Sequence, residues 1–231
     1  MAISTSLDYE DLPELLALLA GDEKHDPSAF STLDVIWVLY DRVLRVDPDR
    51  PDAPDRDRFL LSKGHGPAAY YAVLAAKGFF PQETLAGFGE FDSPLGHHPD
   101  HMLVPGVEIS SGSLGHGLGL AVGVALALDL HQRTEPRVVC LLGDAELEEG
   151  SNFEAIQLAG RLGIARLTAV VIDNHSSTYG WPGGVDRRFE LEGWSVATVD
   201  GHDHDAIEAA FAAAGGDRPH VVLADIPGGV G

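Results

Sequence analysis

Asp144 and Asn174 are the residues of this chain best suited to chemistry at a divalent cation. Asp144 stands in Gly143-Asp144-Ala145, directly after the apolar run Val138-Val139-Cys140-Leu141-Leu142. Asn174 follows Leu167-Thr168-Ala169-Val170-Val171-Ile172-Asp173. Each is a hard oxygen donor at the end of a buried strand, and Leu147 to Leu162 reads as one helix between them. A strand–helix–strand unit brings both strand ends to one edge of a parallel sheet, where ligands bind in folds of this type. Two oxygen donors at that edge suit Mg2+ or Ca2+, with a diphosphate and water completing the shell.

The elements that must position these donors alternate along the chain. Leu7 to Ala20 has helical spacing, and Ser31 or Thr32 reads as an N-cap for a helix over Leu33–Val46. A Pro- and Asp-rich loop over 47–57 precedes a short strand, Arg58–Leu61, and a small-residue helix, Gly66–Lys77. Gly87 to Gly112 has no regular pattern, and a segment of that length inside a compact domain is usually functional. A helix follows over Ser113–Leu130. Strands at 137–142, 167–172, 195–199 and 219–225 then alternate with helices at 152–162, 186–192 and 203–214. The expected fold is α/β, a parallel sheet flanked by helices on both faces, as one domain over 1–231. Gly115, Gly117, Gly119 and Gly123 each cost a helix about 0.8–1.0 kcal/mol relative to alanine. Close packing or ligand approach must offset that cost.

Composition narrows the function. The chain has 231 residues, 36 acidic and 15 basic, for a net charge of −21. Nucleic-acid binding depends on basic surface, so this balance argues against it. An acidic protein that holds a diphosphate needs a metal or local donors beside it. No apolar run reaches the roughly 18 residues that span a bilayer, and Met1 to Asp8 lacks the pattern of a signal peptide. The single cysteine, Cys140, lies in an apolar strand and reads as core packing; with no disulfide available, a cytoplasmic location is expected.

Further motifs carry alternatives. Ser62-Lys63-Gly64-His65-Gly66 follows a strand and opens a helix, a geometry that binds phosphate through backbone N–H groups, but it is not a Walker A loop. His65 is either a loop histidine or a ligand contact. Gly112-Ser113-Leu114-Gly115-His116-Gly117-Leu118-Gly119 fits no register of the dinucleotide fingerprint, and tight helix packing would explain its glycines equally. His97, His98 and His101 could form a zinc cluster, although no carboxylate or cysteine set completes four ligands. Glu149 and Glu154 could simply be acidic residues favoured at a helix N-terminus. His202 and His204 read as surface residues at a helix start.

Taken together, these segments resemble transketolases. Gly143-Asp144-Ala145 with Asn174 is similar to the thiamine-diphosphate motif, Gly-Asp-Gly followed at a distance by Asn. Arg56 to Gly66 resembles the segment that closes over the cofactor's diphosphate. Gly112 to Gly117 resembles Gly-Ser/Pro-Leu-Gly-Gln-Gly, with His116 where Gln is usual. Gly96-His97-His98-Pro99 resembles the family's Gly-His-Pro substrate loop, and Lys24-His25-Asp26-Pro27 its Gly-His-Pro-Gly.

The resemblance implies the thiamine-diphosphate-binding fold, with thiamine diphosphate and Mg2+ (or Ca2+) as cofactors. It implies metal ligands at Asp144, Asn174 and the carbonyl of Ser176. Cofactor contacts are implied at His65, Gly112, Leu114, Gly143 and Ala145. His25, His65 and His98 would orient hydroxyls or move protons, and Glu149 and Glu154 would join a proton relay near the subunit contact. The implied reaction transfers a two-carbon ketol unit from a ketose to an aldehyde acceptor, on sugar or sugar-phosphate substrates.

The resemblance covers only the diphosphate-binding half of the family. The pyrimidine-binding half, with its essential glutamate, is absent. The expectation is therefore an N-terminal subunit that works with a separate C-terminal transketolase subunit, as a heterotetramer of two copies of each. Half of a 2-oxo acid dehydrogenase or decarboxylase shares the metal motif, but Ser-Lys-Gly-His-Gly and Gly-Ser-Leu-Gly favour transketolase. A non-catalytic regulatory subunit is a third reading. The chain departs from the family at Ala145 and at the polar run His175-Ser176-Ser177-Thr178-Tyr179. It also lacks the family's later active-site histidine before Gly231. These departures suit a specialised biosynthetic pathway.

Overall fold

The structure is a computed structural model that describes residues 7–19, 27–64, 67–178 and 180–226, with backbone only for 27–30. Five parallel strands form one sheet in the order β1-β2-β3-β5-β4. They are β1 (Arg58–Leu61), β2 (Val138–Gly143), β3 (Leu167–Asp173), β4 (Ser195–Asp200) and β5 (His220–Asp225). β2 is buried along its whole length and β3 along all but its last residue, while edge strand β4 is not fully buried at any position. Near-continuous apolar runs belong in the middle of a parallel sheet because both faces there are covered.

Helices cover both faces. The helices are α1 (Leu12–Leu18), α2 (Pro27–Val38), α3 (Pro67–Ala76), α4 (His116–Leu130), α5 (Gly150–Leu162), α6 (Val185–Leu191) and α7 (His204–Ala212). Side chains alternate across the strands with period two. Phe59, Leu61, Val139, Leu141, Val170, Ile172 and Val222 pack with α1, α2, α3 and α7. Leu60, Val138, Cys140, Leu142, Ala169, Val171 and Val221 pack with α4, α5 and Phe189 of α6. Cys140 is fully buried, and burial pushes its thiol well above the ordinary value, so it is core. Among the described residues, no helix is long and apolar enough to cross a membrane.

Three local expectations need correction. α2 begins at Pro27 and passes into a π-helical turn over Leu39–Val43, so Ser31 and Thr32 lie inside the helix rather than at its cap. They are buried and accept hydrogen bonds from Lys63 Nζ at 3.1 and 2.7 Å; a buried ammonium needs such oxygen partners. The helix expected over 147–162 is split into a 3-10 turn, Ala145–Glu148, and α5, with Glu149 extended between them. His204 is not a surface residue: its side chain is 20% exposed, and Nε2 lies 2.7 Å from Asp34 Oδ1. His202 Nδ1 meets Asp34 Oδ2 at 2.8 Å, so the β4–α7 loop is tied to α2.

The opposite end of the sheet is closed by Asp57, which is fully buried. It accepts from Arg45 Nη2 at 3.0 Å, from Arg137 Nη2 at 2.8 Å and from both backbone N–H groups. Burial alone would raise this carboxyl, but the bonds from Arg45 and Arg137 bring it below the ordinary value.

Candidate functional site

The strand C-termini converge as the pattern of buried runs requires. Gly143 pairs with Ile172 and Asp173 with Asp225, so β2, β3 and β5 end side by side. Asp144 N donates to Ile172 O at 3.1 Å, which places the carboxylate against the end of β3. The chain after Asn174 then folds back over Asp144. Ser176 Oγ donates to Asp144 Oδ1 at 2.6 Å, and Ser177 N donates to Asp144 Oδ2 at 2.9 Å. Asp144 is 2% exposed.

This edge fits a divalent cation. Asn174 Oδ1 is buried and has no hydrogen-bond partner among the described residues, an acceptor open to a ligand. The neighbouring Asp173 carboxyl is raised, by burial first and also by the charges of Asp144 and Asp225. Negative charge is therefore concentrated where a cation would sit. The donors on offer are carboxylate, amide and carbonyl oxygens, the set preferred by Mg2+ or Ca2+. Among the described residues no group of three or more His, Cys, Asp or Glu could hold a metal, so the zinc alternative for His97, His98 and His101 gains nothing.

The turn holding these donors stores strain at one residue. His175 has φ +58°, the left-handed region that disfavours side chains with a Cβ. Its Nε2 lies 3.0 Å from Asp225 Oδ1, which sets the ring beside the ends of β3 and β5. Ala145, by contrast, is not among the residues with positive φ, so a methyl in place of the family's third glycine brings no backbone strain.

The glycine-rich segments assemble beside this edge. A Cβ on Gly112 would lie 2.7 Å from the His98 ring, and one on Gly64 would lie 3.2 Å from Gly112 O and 3.5 Å from Leu114 Cδ2. His98, Gly64, Gly112 and Leu114 are thus one contiguous wall. A Cβ on Gly143 would touch the Lys63 stem at 3.5 Å, joining that wall to the end of β2. Glu149 and Glu154 are exposed, Glu149 immediately before α5 and Glu154 in its second turn. His25 and His65 lie outside the described residues.

Glu146 is the site residue that sequence reasoning missed. It is 2% exposed. Its carboxylate accepts from Ser62 Oγ, from Gly115 N at 2.9 Å and from Gly143 N at 3.3 Å. Burial pushes its carboxyl above the ordinary value, and these bonds pull the other way. In the sequence it stands in an acidic run with Asp144, Glu148 and Glu149, and nothing in its type or spacing sets it apart. Its place two residues after Asp144, opposite the Gly115 turn, is visible only in three dimensions.

Comparison with known proteins covers nearly the whole chain. Residues 17–230 match the transketolase thiamine diphosphate binding domain. The chain is 35% identical over 209 residues to the 6-deoxy-6-sulfo-D-fructose transketolase subunit SqwG of Clostridium sp. strain MSTE9, covering 86% of this chain and 75% of that protein. It is 34% identical to one of the apulose-4-phosphate transketolase subunits of Actinobacillus succinogenes, over 90% of this chain and 77% of that one. A protein of Rhodococcoides fascians described as ferredoxin fas2 is 53% identical over 96% of this chain and 73% of its own length. Among solved structures, transketolase from Campylobacter jejuni superposes with a TM-score of 0.77 at 27% identity, covering 95% of this chain. The chain spans 38% of that enzyme's length.

Proposed function

This chain belongs to the transketolase family of thiamine diphosphate binding domains, and on that premise we propose that it is the N-terminal subunit of a two-component transketolase. The observation that carries the proposal is the cation-ready edge at Asp144 and Asn174, with a buried amide oxygen left without a partner. Asp144, Asn174 and the carbonyl of Ser176 would hold Mg2+ for the cofactor's diphosphate. Gly143, Ala145, Gly112 and Leu114 present backbone and small side chains to the cofactor, and His65 closes over it. Thiamine diphosphate, when bound, supplies the carbon nucleophile for two-carbon ketol transfer.

The chain's own side chains bind and orient the substrate. The exposed imidazole of His98, backed by Gly112, hydrogen-bonds substrate hydroxyls and moves a proton at a ring nitrogen, with His25 serving the acceptor. Glu149 and Glu154 face outward, where a second chain can complete a proton relay. A C-terminal subunit supplies the pyrimidine-binding half and its glutamate, in a heterotetramer of two copies of each. Relatives named for sulfonated and phosphorylated sugars support an anionic ketose as donor in a specialised pathway. The lone buried thiol suits the reducing cytoplasm.

The test is an assay of this chain with and without the protein that carries the pyrimidine-binding half. Ketol transfer from a ketose phosphate to an aldose, seen only in the mixture, is the expected result. Carbon dioxide release from a 2-oxo acid, or assembly without turnover on any ketose, would overturn it.

A further inference from the structure

The N-terminus of α4 presents an apparent anion site whose donors are already taken. The first N–H groups of a helix have no partner within the helix and attract anions. α4 starts after Gly115, whose φ of +84° turns the chain sharply into the helix. Yet Gly115 N donates to Glu146 Oε1 at 2.9 Å and Gly117 N donates to Ser62 Oγ at 3.0 Å, while Ser62 Oγ itself donates to Glu146 Oε1. The other carboxylate oxygen accepts from Gly143 N. A side chain of this protein thus occupies the place a phosphate would take at such a helix.

We propose that Glu146 is a positioning residue that holds three ligand-facing segments in register: the 62–64 turn, the start of α4 and the Gly143-Asp144 end of β2. The proposal rests on the thiamine diphosphate site described above and deepens it. Both ends of the residue are pinned. Asn152 Nδ2 donates to Glu146 O at 2.7 Å, and Glu149 N donates to the same oxygen at 3.1 Å. Ser151 Oγ donates to Gly115 O at 2.8 Å, so the Gly115 peptide is held from both sides by the segment that follows β2.

The segments are also in close contact at their glycines. A Cβ on Gly117 would lie 2.3 Å from Ser62 Cβ, and one on Gly115 would lie 2.6 Å from Glu149 Cβ. Replacing the carboxylate by an amide leaves one acceptor oxygen where two served two buried N–H groups and a hydroxyl, and sets an NH2 against a donor, a cost the protein relieves by separating the segments. His98, which rests on Gly112, and Asp144, which follows Gly143, would then shift relative to each other. A misplacement of about 1 Å at a reacting centre costs on the order of 100-fold in rate.

The decisive experiment uses two readouts on Glu146→Gln, which preserves shape and removes the charge. In the isolated chain without cofactor, amide hydrogen exchange is expected to rise at least about tenfold over 112–117 and 143–144, with the rest of the sheet unchanged. In the complex with its C-terminal partner, calorimetric affinity for thiamine diphosphate in Mg2+ is expected to fall about tenfold or more, at temperatures well below melting. Ser62→Ala, which removes one limb and keeps the carboxylate, is expected to give the same segment-limited rise if Glu146→Gln does not fold. Unchanged exchange in those segments, or a uniform rise across the sheet with unchanged affinity, would overturn the proposal. A wild-type complex that does not bind thiamine diphosphate would instead overturn the functional reading, while the exchange readout would still decide the role of Glu146.

Discussion

Single atoms decide the metal edge. Asp144→Ala removes the carboxylate that Ser176 and Ser177 hold in place, and is expected to abolish Mg2+-dependent thiamine diphosphate binding to the assembled complex by calorimetry. Asn174→Ala removes the buried acceptor that the fold leaves unpaired. It is expected to weaken cofactor binding about tenfold or more and to leave the melting temperature within a few degrees, because that oxygen makes no hydrogen bond among the described residues. Equal affinity in both variants and the wild type would refute the assignment. Both donors were legible from residue type and from the apolar runs before them. Glu146 was not, because its three partners come from segments as far as 84 residues away in sequence.

Whole elements respond through packing and titration. Gly160 shows how tightly α5 is seated. A Cβ there would lie 1.7 Å from Glu192 O, which is backbone and cannot swing aside. Gly160→Ala is expected to destabilise the chain by about 1–3 kcal/mol or more through overpacking, read as a drop of several degrees in Tm. His220 joins β4, β5 and α7: Nδ1 lies 2.9 Å from Ser195 Oγ and Nε2 lies 3.1 Å from Ala210 O. Burial lowers this imidazole below its ordinary 6.5, with the Ala210 carbonyl pulling the other way. The unfolded chain therefore takes up a proton before the folded one does, and stability is lost as pH falls below 6.5 toward the folded value. Melting curves of His220→Gln between about pH 7 and 5 are expected to be flatter than those of the wild type. A wild-type Tm that rises on acidification through this window would contradict the argument.

Element types were readable where period and length agreed, as in β2 and the largely apolar β3. The break at Glu149 and the early start of α2 were not. Near those points the buried charges Lys63 and Glu146 find their partners in other elements, which a local pattern does not show.

At the scale of the molecule, the glycines of α4 divide into two kinds. Gly115 and Gly117 are closed off by Glu149 and Ser62, whereas a Cβ on Gly119 or Gly123 would meet nothing within 4 Å among the described residues. Leu120 and Leu130 on α4, and Leu158 and Leu162 on α5, are 49%, 84%, 47% and 54% exposed. Under the two-subunit proposal above, these exposed leucines offer an apolar surface for the partner chain. Gly123→Ala is expected to stabilise the isolated chain by up to about 1 kcal/mol through helix propensity, and to weaken assembly measured by sedimentation. Assembly strengthened or unaffected by the added methyl would place the contact elsewhere.

By itself the sequence determined the parallel α/β architecture, the pair of oxygen donors at strand ends and the family. Those properties follow from runs of apolar side chains and from residues adjacent in the chain. Only the tertiary structure decided which glycines face inward, which acidic residue is buried and how the 174–177 turn closes on Asp144. Each of these depends on which distant groups supply hydrogen-bond partners inside a medium that water does not enter, and that pairing is settled by packing rather than by local pattern.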